Sequence, residues 1–142
     1  MKLIELENCK AGYILKGFIN HKSLGHYIIF IEPYRFHDFI GAMISTKNFQ
    51  NKNVLMLEQH FNKTFEDGTD CAVTFNESYL VLAKLHKYFE MGPFELCGKL
   101  SDSGLKFTID NLNNLNLLSW DEYLQDTNNI NKSIIINKKP NG

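Results

Sequence analysis

Between Ser78 and Leu118 the chain sets two apolar runs, a glycine and an amphipathic stretch in a fixed order. That order limits the available folds more than any single motif does. Ser78 to Leu85 reads as a strand, although its periodicity also fits a helix. Met91-Gly92-Pro93 interrupts, and Phe94 to Cys97 forms a brief strand ended by Gly98. Ser101, Asp102 and Ser103 are suitable N-caps for a helix. In that helix Leu105, Ile109 and Leu112 share one face, and Leu115 extends it by a further turn. The amphipathic run ends near Leu118, and Trp120 to Leu124 adds another turn of helix.

Upstream the pattern is short strands separated by turn residues. Leu3 to Leu6 and Gly12 to Ile19 are opening strands, and Asn20 to Ser23 is a polar break. Gly25 to Ile31 is the clearest strand, dense in β-branched and aromatic residues, and Glu32-Pro33 ends it. A polar, aromatic loop runs through Asp38. Phe39 to Ser45 is the next strand, with Gly41 and Ala42 suited to a sharp bend or a close backbone approach. Asn48, Asn51 and Asn53 mark a loop. Asn53 to Leu57 is a strand running on into Glu58-Gln59-His60-Phe61. Glu66 to Asp70 is a turn, and Cys71 to Phe75 a short strand. Many strands followed by helix indicate an α+β, mostly β fold: a small curled sheet or an SH3-like β-barrel with a C-terminal helix. Residues 1–126 are expected to form a single globular domain, and 127–142, rich in Asn and Lys, a mobile tail.

At 142 residues, with 44% apolar and 13% aromatic side chains, the chain has material for a core without disulfides. Its net charge of −1 confines any nucleic-acid surface to a local patch. Cys9, Cys71 and Cys97 form no CxxC pair and no cluster with His at ligand spacing. They read as small buried apolar residues in a reducing cytoplasm, with no metal site and no cofactor. Met1 to Glu7 alternates with charge and lacks a signal-peptide core, and no apolar run approaches the ~20 residues that span a bilayer. The expectation is a cytoplasmic protein without a membrane partner. No HExxH, Walker loop, GxSxG or GxGxxG occurs.

Several pieces fall in a familiar order: Gly25 to Ile31, Ile40-Gly41-Ala42-Met43-Ile44-Ser45, Asn48, Asn53 to Leu57, Ser78 to Leu82, and Gly98-Lys99-Leu100-Ser101 with Leu105 to Leu118. Over roughly residues 20–118 that order resembles the MazF/PemK toxin family. The resemblance implies an SH3-like barrel and a toxin of a bacterial toxin–antitoxin pair. It further implies a metal-independent endoribonuclease acting on single-stranded RNA, a homodimer, and an antitoxin protein as partner. Where that family carries an Arg-Pro pair, this chain holds Asp38-Phe39 or neighbours, with Arg35 a few residues earlier. The family's Thr position falls near Gln59-His60.

RNA cleavage without a metal needs a base, a donor to the leaving oxygen and a cation for the developing charge. Arg35, His37 and His60 are the catalytic candidates. His26, Tyr34, Ser45, Thr46 and Lys47 are the substrate-binding ones, with Tyr27, Phe30 and Phe36 as further rings for exposed nucleobases to stack on. Each has a plainer alternative. His26 can be a hydrogen-bonded strand residue, Ser45-Thr46 a strand end, His60 a packed ring, and Tyr27 and Phe30 core. His21 and His86 read as surface residues. The rival reading is a non-enzymatic protein-binding module, an immunity or regulatory protein, favoured by the near-neutral charge and the missing Arg-Pro pair.

Overall fold

The computed structural model describes residues 2–19, 22–46, 53–88 and 91–125. The apolar runs become strands: β1 (Leu3–Ile4), β2 (Tyr13–Ile19), β3 (Lys22–Pro33), β4 (Phe39–Ser45), β5 (Asn53–Leu55), β6 (Tyr79–Val81), β7 (Lys84–His86), β8 (Phe94–Lys99) and β9 (Leu117–Ser119). They join in one sheet of order β1-β8-β2-β3-β4-β6-β5, with β7 also on β4 and β9 parallel to β7. The sheet is curled and unclosed, and carries one main helix, α1 (Asp102–Leu112). Of the two arrangements open from the sequence, it is therefore the curled sheet. Among the described residues, no helix is long and apolar enough to cross a membrane.

Both faces of the central strands are covered, which explains why β2, β3 and β4 read as nearly continuous apolar runs. Leu15, Ile28, Phe30, Phe39 and Met43 enter one core with Leu85, Tyr88 and Phe94. Their alternating neighbours Ile14, Ile29, Ala42 and Ile44 enter a second core with Leu80, Leu100 and Leu112. Each fully buried Ile, Leu or Phe contributes about 2 kcal/mol over an exposed one. Gly41 is where the backbones close in, as its small size suggested: a Cβ there would lie 2.6 Å from the carbonyl of Ile29.

Several expected boundaries move. The strand expected from Gly25 runs from Lys22. The one expected from Asn53 to Leu57 stops at Leu55, and a 3-10 turn takes Glu58–His60. Cys71 to Phe75 is not a strand. It crosses β8, where Val73 N–H donates to the Cys97 carbonyl at 2.8 Å. Gly98 does not end β8 but lies within it, because that crossing brings the Val73 carbonyl 2.8 Å from where a Cβ would stand. The Ser78–Leu85 run divides into β6 and β7 around Leu82.

Helix α1 starts where expected, with the Ser101 hydroxyl accepting from Gly104 N–H at 3.1 Å. Its buried stripe is Gly104, Thr108 and Leu112, not Leu105 and Ile109; Ile109 is 43% exposed. The helix meets the turn at His60 through Gly104, whose missing side chain permits the approach. Past Leu112 the chain leaves the helix, and Leu117 to Ser119 pair with β7. Residues 120–125 are again helical, begun by a reciprocal cap: Glu122 N–H donates to the Ser119 hydroxyl, and the Glu122 carboxylate accepts from Ser119 N–H.

Candidate functional site

The β3–β4 hairpin determines where the candidate residues can meet. At its loop end Pro33 faces Phe39, and at its open end Tyr27 faces Ile44. From Pro33 to Tyr27 the strand covers roughly 20 Å at about 3.3 Å per residue. Arg35 and His37 belong to the loop end, and His26, Ser45 and Thr46 to the open end. Each end borders its own cleft.

The loop end is fixed from behind by Asp38. One of its carboxylate oxygens accepts from the backbone N–H groups of Phe39 at 2.7 Å, Tyr88 at 3.0 Å and Lys87. The other lies 3.1 Å from His86 Nδ1, and both side chains are largely buried. A buried carboxylate is stable when donors surround it, as here. His86, read from the sequence as a surface residue, is thus part of the anchor; its ring also touches that of Tyr34 at 4.8 Å. No spacing in the sequence points to a pairing across 48 residues.

With its stem fixed, the loop adopts left-handed backbone at two non-glycine residues, Arg35 (φ 51°) and His37 (φ 59°). Such conformations cost about 1 kcal/mol each and persist where the surroundings impose them. Their effect is to turn three side chains outward. The Arg35 guanidinium lies over the Tyr34 ring at 4.9 Å. Phe36 is 86% exposed, with its ring 3.9 Å from that of His37. Beside them lies a cleft of about 700 Å³, bordered by Leu3, Leu6, Pro33 and Phe94 and by the carboxylates of Glu5 and Glu7.

The second cleft, about 540 Å³, is bordered by His26, Tyr27, Ser45 and Thr46 and, across from them, by Thr74, Asn76 and Ser78. Its polar side chains are neutral hydroxyls, an amide and a phenol, with the His26 imidazole, and Ile44, Ala72 and Val73 complete the lining. Three of the expected substrate-binding residues therefore converge. Tyr34 is at the other end of the hairpin, and Lys47 lies outside the described residues, as do Asn48 and His21.

His60 joins neither cleft. It ends the 3-10 turn under α1, 5% exposed, with Nδ1 accepting from Leu57 N–H at 3.0 Å and its ring against Phe107 at 4.4 Å. Burial pushes its pKa down. The ring is a neutral packing element whose acceptor nitrogen is occupied. Tyr27 is half-buried, while Phe30 is core.

Comparison of the chain with protein-family models, curated proteins and solved structures returns no match. What the site can do is therefore read from its own geometry. Among the described residues, no three His, Cys, Asp or Glu side chains gather as a metal-binding group. The cysteines are not poised as nucleophiles: burial raises the Cys9 thiol to about 11, and burial with the Glu95 carboxylate raises Cys97 to about 12. The loop-end cleft can offer an aromatic ring, a cation and apolar walls. The open-end cleft can offer hydrogen bonds.

Proposed function

We propose that the chain is a non-enzymatic protein-binding module, of immunity or regulatory type, working through the face that carries the 34–38 loop. The observation that carries this reading is Phe36, 86% exposed on a loop anchored by Asp38. A large ring held in water adds nothing to the core, whereas a pre-ordered aromatic beside an Arg is the kind of residue that dominates protein interfaces. The groups wanted for RNA cleavage are distributed otherwise: Arg35 and His37 at one end of the hairpin, Ser45 and Thr46 at the other, and His60 buried.

The test is controlled expression of the native chain with recovery of bound protein on a tag. Growth continues normally, a specific protein is recovered, and Phe36→Ala loses it without a change in melting temperature. Failure of Phe36→Ala to alter recovery would remove this face from the function.

A second reading is a cytoplasmic toxin-like endoribonuclease, dimeric and held in check by an antitoxin. It draws support from the meeting of His26, Ser45 and Thr46 in one cleft. On that reading expression arrests growth, His26→Ala relieves the arrest, and cleavage of single-stranded RNA survives EDTA.

A further inference from the structure

We infer that the partner enters the loop-end cleft as an extended segment added to the edge of β1, with an apolar side chain set between one basic and one acidic residue. This rests on the protein-binding reading above and supplies the chemistry of the partner. Three features lead to it.

The first is the open edge. β1 is the last strand of the sheet and pairs with β8 on one side. Leu96 N–H donates to the Lys2 carbonyl at 2.7 Å, and Leu3 faces Glu95 in the same register. Antiparallel ladders alternate, so Leu3 turns its N–H and carbonyl away from β8. Its side chain is 59% exposed as well. An outward donor and acceptor on an edge strand are what a peptide uses when it adds as a further strand.

The second is space. The cleft beside this edge measures about 700 Å³ and has Leu6, Pro33, Pro93 and Phe94 on its walls, enough for a short extended segment with one apolar anchor.

The third is charge. Glu5 and Glu7 stand on the β1 side, and Arg35 on the loop side. Among the described residues none of the three makes an ion pair; Arg35 has only the Tyr34 ring. An occupant with opposite charges on its two sides satisfies both. A purely acidic segment, or a nucleic-acid backbone, would bring negative charge against Glu5 and Glu7.

The experiment titrates the full, isotope-labelled chain with three acetylated peptide amides: Lys-Thr-Val-Leu-Thr-Glu, its charge-reversed order Glu-Thr-Val-Leu-Thr-Lys, and the all-acidic Glu-Thr-Val-Leu-Thr-Glu. One of the two mixed-charge peptides should shift the amide signals of residues 3–7 and 35–38 together. The all-acidic peptide should bind about fivefold more weakly, the scale expected of one exposed ion pair. N-methylation of alternate amides should abolish binding. Glu5→Lys with Glu7→Lys should invert the preference towards the all-acidic peptide.

Absence of those shifts with both mixed-charge peptides would overturn the inference, and so would unchanged binding after N-methylation. If that happens while Phe36→Ala still abolishes recovery of a partner protein, the protein-binding reading stands and only the strand-addition mode falls. If Phe36→Ala is also without effect, both fall.

Discussion

His60 is a titratable residue held in its neutral form by its surroundings. Burial lowers its pKa below the ordinary 6.5, and a proton on Nδ1 would displace the Leu57 N–H bond. The unfolded chain therefore binds more protons than the folded one below about 6.5, so this residue's contribution to stability falls as pH drops through that value. Thermal melts between pH 7.5 and 5 should show the loss. His60→Gln, which keeps an acceptor but cannot titrate there, should flatten the dependence, and an unchanged slope would assign it to other groups. Gly104 is the complementary case. A methyl group built on it overlaps the His60 carbonyl, and backbone cannot move aside as a side chain tip can. Gly104→Ala should cost about 3 kcal/mol despite the better helix propensity of Ala. A stabilised variant in denaturant melts would mean that α1 does not sit this close.

At the scale of elements, Asp38 joins the hairpin loop to the segment after β7. Asp38→Ala leaves the N–H groups of Phe39, Lys87 and Tyr88 without that acceptor and the His86 imidazole without its carboxylate partner. About 3 kcal/mol should be lost, read as a lowered melting temperature. Phe36→Ala, a few ångströms away in the same loop, should leave the melting temperature unchanged because its ring has little to lose on exposure. Equal effects from the two would contradict a loop anchored at its stem and free at its tip. The same elements show what sequence can and cannot convey. Phe39–Ser45 was legible to the residue, since an apolar run this short, bounded by polar residues, suits a strand buried on both faces better than a helix. The Ser101 cap was legible because capping is a local matter. The face of α1 was not: Leu105 and Ile109 carry the apolar signal, yet the packing surface is chosen by Gly104 against a distant turn. The site was partly legible. His26, Ser45 and Thr46 do converge, being neighbours across one hairpin, while the roles of His86 and Asp38 depend on a contact that no local pattern encodes.

At the scale of the whole molecule, the two cores lie on opposite faces of one sheet, so neither can open without exposing the strands of the other. Cys97 sits within β8 at 2% exposure, its thiol raised to about 12 by burial and by Glu95. Its alkylation at pH 8 should be slow in the native protein and should follow denaturant dependence with the slope of global unfolding. Rapid labelling without denaturant would show that β8 opens on its own. The position of β8 has a further consequence for synthesis. It supplies the second neighbour of β2, from Tyr13 opposite Lys99 to Gly17 opposite Phe94, and the neighbour of β1. A chain leaving the ribosome at about 5–20 residues per second therefore carries a half-built sheet for several seconds. In that interval the edge from Tyr13 to Gly17 is open to other nascent chains, an exposure that ends once β8 pairs with it.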